Sequence, residues 1–556
     1  MPWFHSYTPL GGVALSALAA ALPFALLCWQ LLIRRKGGHI AAGTALAGAF
    51  LLAVTLWKMP ILTALSAGAY GTAFGAFPIL WIIITAMWVY NMTADAGQFA
   101  IVRFSISSLT EDRRIQAVFI AFAFGALLES TSGYGSPVAI GAAMLIGLGF
   151  PPVQAAVLCL LANTVPAAYA GLGLPTLTAA QISGLDVMDL NRIIGRQLPV
   201  VALILPLWIC ILVSGWKRSL EIWPVLLAGG LGCALPTYLV AQYHSYTLPG
   251  LMGAVGSLLA ITLVCRFWKP ARIFRFAHEG TGESIGENTG QNSAPSPAAS
   301  GQAASIPAYS RRAVFRAWLP WLTLTLMVVL SSSAPVRSFL NSLQYSRLPW
   351  PGLHDMVAKS APIASAANPE TMPALFTLNL LSSPGSVIFL CGLLLPLIMP
   401  GYSYPRALRA LGRTFVQMRF SIATVLLILA LAQIMNYSGM SYTLGLAFTH
   451  TGALFPLFSP ILGWIGVFLT GSDTSSNALF CGMQRATAEA VGMSPELAAA
   501  VNSTGGVTAK MISPQSLAVA VGATGLVGQE GNILRKTIGH SLLMLAMICA
   551  LTWLMR

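Results

Sequence analysis

The chain has 556 residues, of which 8% are Asp, Glu, Lys or Arg, whereas soluble domains carry about a quarter. Hydrophobic types make up 56% of the residues and the mean hydropathy is +0.75. Most of the chain therefore lacks a polar face that could meet water and needs lipid around it. These values exclude an ordinary soluble enzyme and predict an all-α polytopic membrane protein.

The charge is unbalanced, with 30 Lys and Arg against 16 Asp and Glu and a formal net charge of +14. The basic residues form short clusters between apolar runs, which is the pattern that orients membrane proteins, so the expected partner is the lipid bilayer and not nucleic acid. The eight cysteines occur singly, without CxxC or a His partner at metal spacing. We assign them to packing and expect no metal site and no cofactor.

An apolar run over residues 10–33 is followed at once by Arg34, Arg35 and Lys36. No basic leader precedes the run, so we interpret it as the first transmembrane helix, with the N-terminus outside, and not as a signal peptide. We expect about 12–14 transmembrane elements, and residues 61–71 are too short and Gly-rich to assign. Further spans are predicted at 40–57, 72–94 with a bend near Pro78, 194–214, 222–242, 248–268, 314–332, 385–400, 420–436, 440–456 and 537–555.

Residues 277–310 contain no Leu, Val, Phe or Trp and cannot bury a core. We predict a disordered cytoplasmic linker at 277–312, which divides the chain into membrane halves at 1–276 and 313–556. In the second half, residues 333–375 are expected outside. Four arginines before the span at 420–436 mark the inside again: Arg406, Arg409, Arg413 and Arg419.

Hydropathy breaks at two places within apolar runs. One run enters Glu129 and STSGYGSP, and the other enters TGSDTSSN from Thr470. A backbone break at membrane depth costs several kcal/mol for each unpaired polar group unless protein or water surrounds it. The sequence predicts re-entrant or broken helices near 129–137 and 471–477, although kinked helices packed through small residues remain an alternative.

Both breaks carry helix-start signals. Ser136 followed by Pro137 is typical of an N-cap, and Asp473 to Asn477 precede a helix that we predict to begin near Ala478. The N–H groups and dipole of such helix ends favour a bound carboxylate.

A weak internal repeat links the two regions. GFPPVQAA at 149–156 resembles GMSPELAA at 492–499, and each lies about 20 residues after its break and precedes an Asn, at Asn163 and Asn502. The pattern predicts two repeat-related halves with the site between them.

Inserting a charged side chain at the centre of a membrane helix costs about 2.5 to 3.5 kcal/mol, so ionisable residues at this depth indicate a functional or structural role. Glu129 is expected to be a proton carrier, a structural hydrogen-bonding group or a water-exposed residue. Asp473 is expected to carry a proton or to cap a helix. Lys510 has three alternatives: contact with a substrate carboxylate, pairing with Glu129 or Asp473, or an interfacial position.

The sequence resembles the L-lactate permease family of the ion transporter superfamily. The similarity is carried by FGALLESTSGYGSPVAIGAAMLIGLGFPPVQAAVLCLLANTVPAAYAGLGLP at 124–175, LGWIGVFLTGSDTSSNALF at 462–480 and NSTGGVTAKMISPQSLAVAVGATGLVG at 502–528. Here Ser130 and Thr131 stand where the family more often has small residues, a departure that leaves the preferred acyl chain and substituents open.

The resemblance implies a secondary active transporter, not an enzyme, that imports L-lactate, D-lactate and glycolate with protons across the bacterial inner membrane. A homodimer is an expectation by analogy only. Glu129 and Asp473 are the proton-coupling candidates. The substrate-binding candidates at motif positions are Ser132, Gly133, Tyr134, Gly135, Ser136, Asn163, Thr474, Ser475, Ser476, Asn477, Asn502, Lys510, Ser513 and Gln515.

Three alternatives stay open at this point. A carrier of gluconate or of a dicarboxylate would share the fold, and a dicarboxylate would need a second cation beside Lys510. An anion channel could also use breaks at membrane depth. A membrane-embedded enzyme is disfavoured, because the sequence carries no HExxH, GxSxG, CxxC or His-rich cluster.

Overall fold

A computed structural model describes residues 2–34, 36–131, 136–276, 309–361, 363, 371–399, 401–526 and 529–556. The first-half helices are α1 (Val13–Cys28), α2 (Gly38–Thr55), α3 (Ile61–Phe74), α4 (Trp81–Asp95), α5 (Gln98–Ser107), α6 (Arg113–Ala117), α7 (Gly125–Thr131), α8 (Ser136–Ile146), α9 (Pro152–Ala162), α10 (Thr164–Ala167), α11 (Ala170–Ser183), α12 (Val187–Ser214), α13 (Trp216–Ser219), α14 (Trp223–Tyr243) and α15 (Pro249–Phe267). Short π-helical turns continue α1 (Trp29–Ile33), join α3 to α4 (Gly75–Leu80) and join α6 to α7 (Val118–Phe124).

The helices that follow residue 309 continue the numbering. They are α16 (Arg311–Ser332), α17 (Ala334–Leu343), α18 (Pro384–Ile398), α19 (Tyr404–Tyr437), α20 (Met440–Phe448), α21 (Phe455–Thr470), α22 (Asp473–Val491), α23 (Pro495–Ala509), α24 (Pro514–Thr524) and α25 (Glu530–Leu554). Strands β1 (Trp3–Phe4) and β3 (Val357–Ala358) pair in parallel, and β2 (Ser346–Pro349) pairs antiparallel with β4 (Leu375–Leu378).

The predicted all-α polytopic membrane class is confirmed. Within the described residues, 10 helical segments are long and apolar enough to cross a membrane, and four shorter apolar helices accompany them. The lipid-facing surface exposes large side chains such as Leu18, Leu62 and Leu259, whereas the interior is a continuous apolar core. The linker prediction falls mostly on residues 277–308, which lie outside the described residues.

Two predicted boundaries were wrong. The span expected at 72–94 begins at Ile61 and bends at Phe77, whose backbone is non-helical, before Pro78. The span expected at 420–436 begins at Tyr404, so the four arginines before it lie on the first half of α19, because hydropathy locates the apolar part of a helix and not its polar extension. Arg413 forms an ion pair there with Asp95 at the end of α4.

The chain order around the two breaks is similar in both halves. Helices α7, α8, α9, α11 and α12 follow one another in the first half, and α21 to α25 follow one another in the second. The packing is reciprocal, since α11 of the first half contacts α22 while α24 of the second half contacts α8. The relation between the halves predicted from the repeat stays a prediction.

Candidate functional site

A cavity of about 50 Å³, partly open to solvent, lies where several helices end inside the bundle. It is bordered by the end of α7, the segment between α9 and α11, the turn between α21 and α22, and the turn between α23 and α24. The residues that line it are Ile83, Glu129, Ala167, Ala170, Gly171, Leu174, Pro175, Gly471, Ser472, Asp473, Thr474, Lys510, Gln515, Ser516 and Val519.

The second break is a sharp turn between two helices. Gly471 has a φ of +72°, which ends α21, and the Ser472 hydroxyl caps α22 by accepting from the Ser475 N–H at 3.3 Å. The helix therefore begins at Asp473 and not near Ala478 as predicted, because the hydroxyl-rich residues after the cap form its first turn. This N-terminus borders the cavity at Asp473 and Thr474.

Asp473 is buried at the positive end of α22, where a negative charge is favourable. Ser503 lies nearby, but neither carboxylate oxygen has a partner with hydrogen-bond geometry among the residues that the structure describes. Gly506 makes room for the group, since a methyl carbon there would lie 2.9 Å from Oδ1 of Asp473. The helix cap is Ser472, so Asp473 is not the capping residue that the sequence allowed.

Lys510 and Glu129 form a buried ion pair that joins the two halves. Glu129 is completely buried and Lys510 is 9% exposed. Among the alternatives for Lys510, the structure selects pairing with Glu129 over Asp473 and over an interfacial position. It also excludes a water-exposed Glu129. The other Glu129 oxygen, Oε2, has no hydrogen-bond partner within the described part of the chain.

The turn after Lys510 supplies further polar groups. Ser513 caps α24 by accepting from the Ser516 N–H at 3.3 Å and donates to the Lys510 carbonyl at 3.1 Å. The Ser513 hydroxyl thus supports the turn, whereas Gln515 and Ser516 line the cavity. A methyl group on Gly471 would lie 2.4 Å from Oε1 of Gln515, so the two turns meet here.

Several predicted residues form a buried network behind the cavity. Asn502 donates to Asn477 Oδ1 at 2.8 Å, and Asn477 donates to Ser503 Oγ at 2.6 Å. Ser476 donates to the Gly463 carbonyl at 3.1 Å. These contacts join α21, α22 and α23. Four of the predicted substrate-binding residues therefore lie outside the cavity lining: Ser475, Ser476, Asn477 and Asn502.

The first break is described only at its edges. Ser132, Gly133, Tyr134 and Gly135 lie outside the described residues, and Ser136 is the first residue of α8. Asn163 lies in the turn between α9 and α10, buried but outside the cavity lining.

Sequence reasoning missed part of the cavity. Gly171 to Gly173 adopt left-handed backbone angles and interrupt α11, a break that the string GLGLP could have indicated. Ser472 and Ser516 stood within recognised motifs without being selected. Ile83 and Val519 gave no signal, since apolar residues in apolar helices are ordinary.

Multiple membrane-spanning helices around an internal cavity bordered by helix ends, with a buried ion pair, define a multi-pass membrane protein with the architecture of a permease. The L-lactate permease family model matches residues 16–556. The chain therefore belongs to the L-lactate permease family, and the resemblance drawn from its motifs is confirmed.

Characterised relatives are similar over their full length. The chain is 40% identical to the glycolate permease GlcA of Escherichia coli K12, covering 99% of this chain and 98% of that protein. It is also 40% identical to the L-lactate permease of Bacillus subtilis 168, covering 100% and 98%. The YdaH transporter of Alcanivorax borkumensis aligns with 87% of this chain and 86% of its own, at 14% identity and a TM-score of 0.42.

Proposed function

We propose that this permease imports L-lactate, D-lactate and glycolate together with protons across the bacterial inner membrane. The observation that carries the proposal is the buried Lys510–Glu129 pair in a cavity between helix ends. Family membership and relatives named for lactate and glycolate support the substrate class.

The lining of the cavity suits a short 2-hydroxy acid. Lys510 and the N-terminus of α22 supply the positive charge for a carboxylate. Ser472, Thr474 and Gln515 supply groups that can bond a 2-hydroxyl. Apolar contact for a methyl group would come from Ile83, Leu174 and Val519.

Proton coupling follows from competition for Lys510. A substrate carboxylate that pairs with Lys510 withdraws the cation from Glu129. The Glu129 carboxylate is fully buried, and a buried charge without a counterion is unfavourable by several kcal/mol. Glu129 therefore takes up a proton when the substrate binds and releases it when Lys510 returns.

Such coupling solves an electrostatic problem of import. Moving one negative charge inward against 100 mV costs about 2.3 kcal/mol. A proton that travels with the anion makes the step electroneutral, and each unit of inward pH gradient adds about 1.4 kcal/mol of driving force.

The orientation belongs to the same proposal. We place the N-terminus outside and the 277–312 linker in the cytoplasm, because basic clusters such as Arg34 to Lys36 favour the inside. A homodimer stays an expectation by analogy.

A dicarboxylate is a poorer substrate for this cavity. Among the described residues that line it, Lys510 is the one cationic side chain, and the cavity also holds Glu129 and Asp473. Once the first substrate carboxylate has paired with Lys510, a second one would find no further cation among these residues.

Uptake of labelled L-lactate into proteoliposomes with an imposed pH gradient tests the proposal. Glu129→Gln is expected to abolish gradient-driven accumulation while exchange of internal for external lactate continues. Normal accumulation by this variant would disprove the proton role of Glu129. Saturable counterflow in the wild type distinguishes a carrier from a channel, which cannot show it.

A further inference from the structure

We infer that the proton reaches Glu129 through hydrated polar side chains that do not line the substrate cavity and that include Ser130 and Tyr169. The inference rests on the proposed function and adds the residues that deliver the proton. Substrate and proton would then approach one carboxylate by separate routes.

Four buried residues on α7 or on the segments packed against it each have a side-chain oxygen without a hydrogen-bond partner among the described residues. They belong to the proton-side cluster, which consists of Ser130, Asn163, Thr164 and Tyr169. Each side chain is at most 4% exposed. An unsatisfied buried polar group costs about 1–3 kcal/mol, so proteins rarely leave several together without a ligand. Ordered water is the usual ligand of such groups.

The cluster lies next to Glu129 along the chain and across neighbouring helices. Ser130 is the next residue along α7, and α7 packs against α10, which begins at Thr164. Ser130 and Tyr169 both lie close to Gly250 of α15. A methyl carbon at Gly250 would be 2.6 Å from Ser130 Oγ and 2.7 Å from Tyr169 Cβ. None of the four residues lines the cavity.

Glu129 has an oxygen available for this route. Its Oε1 accepts from Lys510, whereas Oε2 is buried without a partner. Water held by the cluster can donate to Oε2 without displacing Lys510 or crossing the cavity. Protonation of Glu129 then does not require the substrate to carry the proton.

Tyr169 extends the route towards the surface. A methyl carbon at Gly195 of α12 would lie 3.6 Å from the Tyr169 hydroxyl and 3.4 Å from Gln242 Nε2. Gln242 in turn accepts a hydrogen bond from Arg196 at 3.3 Å, and Arg196 is exposed. The tyrosine hydroxyl thus stands between the buried cluster and the face of the protein near the start of α12.

Ser130→Ala and Tyr169→Phe test the route, because each removes one hydroxyl. We expect gradient-driven L-lactate accumulation in proteoliposomes to be slowed at least about tenfold in each variant, since a positioned proton-transfer group contributes at least that much. Counterflow, in which the loaded carrier exchanges without releasing its proton, is expected to stay near the wild-type rate. The matched control is Tyr70→Phe, whose hydroxyl donates to the Leu375 carbonyl at 3.2 Å elsewhere in the molecule.

The pH profile separates proton delivery from a packing defect. In Tyr169→Phe, lowering the external pH is expected to restore part of the lost rate, because a higher proton concentration compensates for slower delivery. A uniform loss of accumulation and counterflow that acid does not restore would overturn the inference. Normal accumulation in both hydroxyl variants, with Glu129→Gln inactive, would overturn it and leave the proposed function intact. Normal accumulation in Glu129→Gln would instead disprove the proposed function.

Discussion

The two buried carboxylates at the cavity are stabilised in different ways. Glu129 at the end of α7 pairs with a cation from the other half of the chain. Asp473 lies in the first turn of α22, where the helix dipole favours a negative charge, and neither of its oxygens has a hydrogen-bond partner among the described residues. A substrate anion can bind the cation in place of Glu129, whereas the N-terminus of α22 stays next to Asp473. We therefore propose that Glu129, whose counterion a substrate can withdraw, takes up the proton, and that Asp473 keeps the same protonation state throughout the cycle.

Removing the cation that pairs with Glu129 should have the largest effect on stability and transport. Lys510→Ala leaves Glu129 buried without a counterion, and breaking a buried pair costs about 3–5 kcal/mol. We expect a large loss of thermal stability in detergent and no transport. The double variant Glu129→Gln, Lys510→Met should recover stability without recovering transport. A single variant as stable as the wild type would contradict the ion pair.

Asp473→Asn tests the fixed role of the second carboxylate. Asparagine is a short polar residue at the same helix start, so we expect gradient-driven accumulation to persist, with a change in half-saturating lactate of at most about tenfold. Uptake of L-lactate is measured for this variant and for Glu129→Gln in separate vesicles of the same composition. Loss of accumulation with preserved counterflow would make the two carboxylates equivalent.

The cap of α22 offers a smaller perturbation with a matched control. Ser472→Ala removes the N-cap at the cavity, and Ser494→Ala removes the N-cap of α23, which accepts from Leu497 N–H at 3.1 Å away from the cavity. Each should cost about 1 kcal/mol of stability. Ser472→Ala should raise the half-saturating lactate concentration, whereas Ser494→Ala should leave it unchanged. An equal effect of both variants on half-saturation would argue against a ligand at this helix end.

A third turn, between α19 and α20, provides a reference away from the cavity. There His5 donates from Nε2 to the Tyr437 carbonyl at 3.0 Å, and burial lowers the pKa of His5 from 6.5 to about 4, opposed by that hydrogen bond and assisted by Lys359. The unfolded chain binds this proton below about pH 6.5 and the folded chain does not until about pH 4. Stability should therefore fall as the pH drops through this interval.

The control for this pH effect is His5→Gln, which removes the titrating group. We expect a smaller fall in melting temperature between pH 6.5 and 4 than in the wild type. An identical fall in both proteins would mean that other groups cause the acid sensitivity.

Sequence reasoning located the polar breaks because polar and ionisable groups at membrane depth are costly and therefore informative. It left the partner of Lys510 open, since Glu129 lies 381 positions away and only the fold brings them together. The start of α22 was misplaced because Ser and Thr favour both breaks and first helical turns. Ile83 and Val519 could not be found from composition, as they resemble every other apolar residue in their helices.

Proton uptake on substrate binding tests the account most directly. Purified protein in weakly buffered detergent solution near pH 7 is mixed with L-lactate while the free proton concentration and the bound lactate are followed. If lactate displaces Glu129 from Lys510, about one proton is absorbed for each lactate bound, and Glu129→Gln absorbs none. Tight binding of lactate to the wild type without proton uptake would contradict the competition between the two carboxylates.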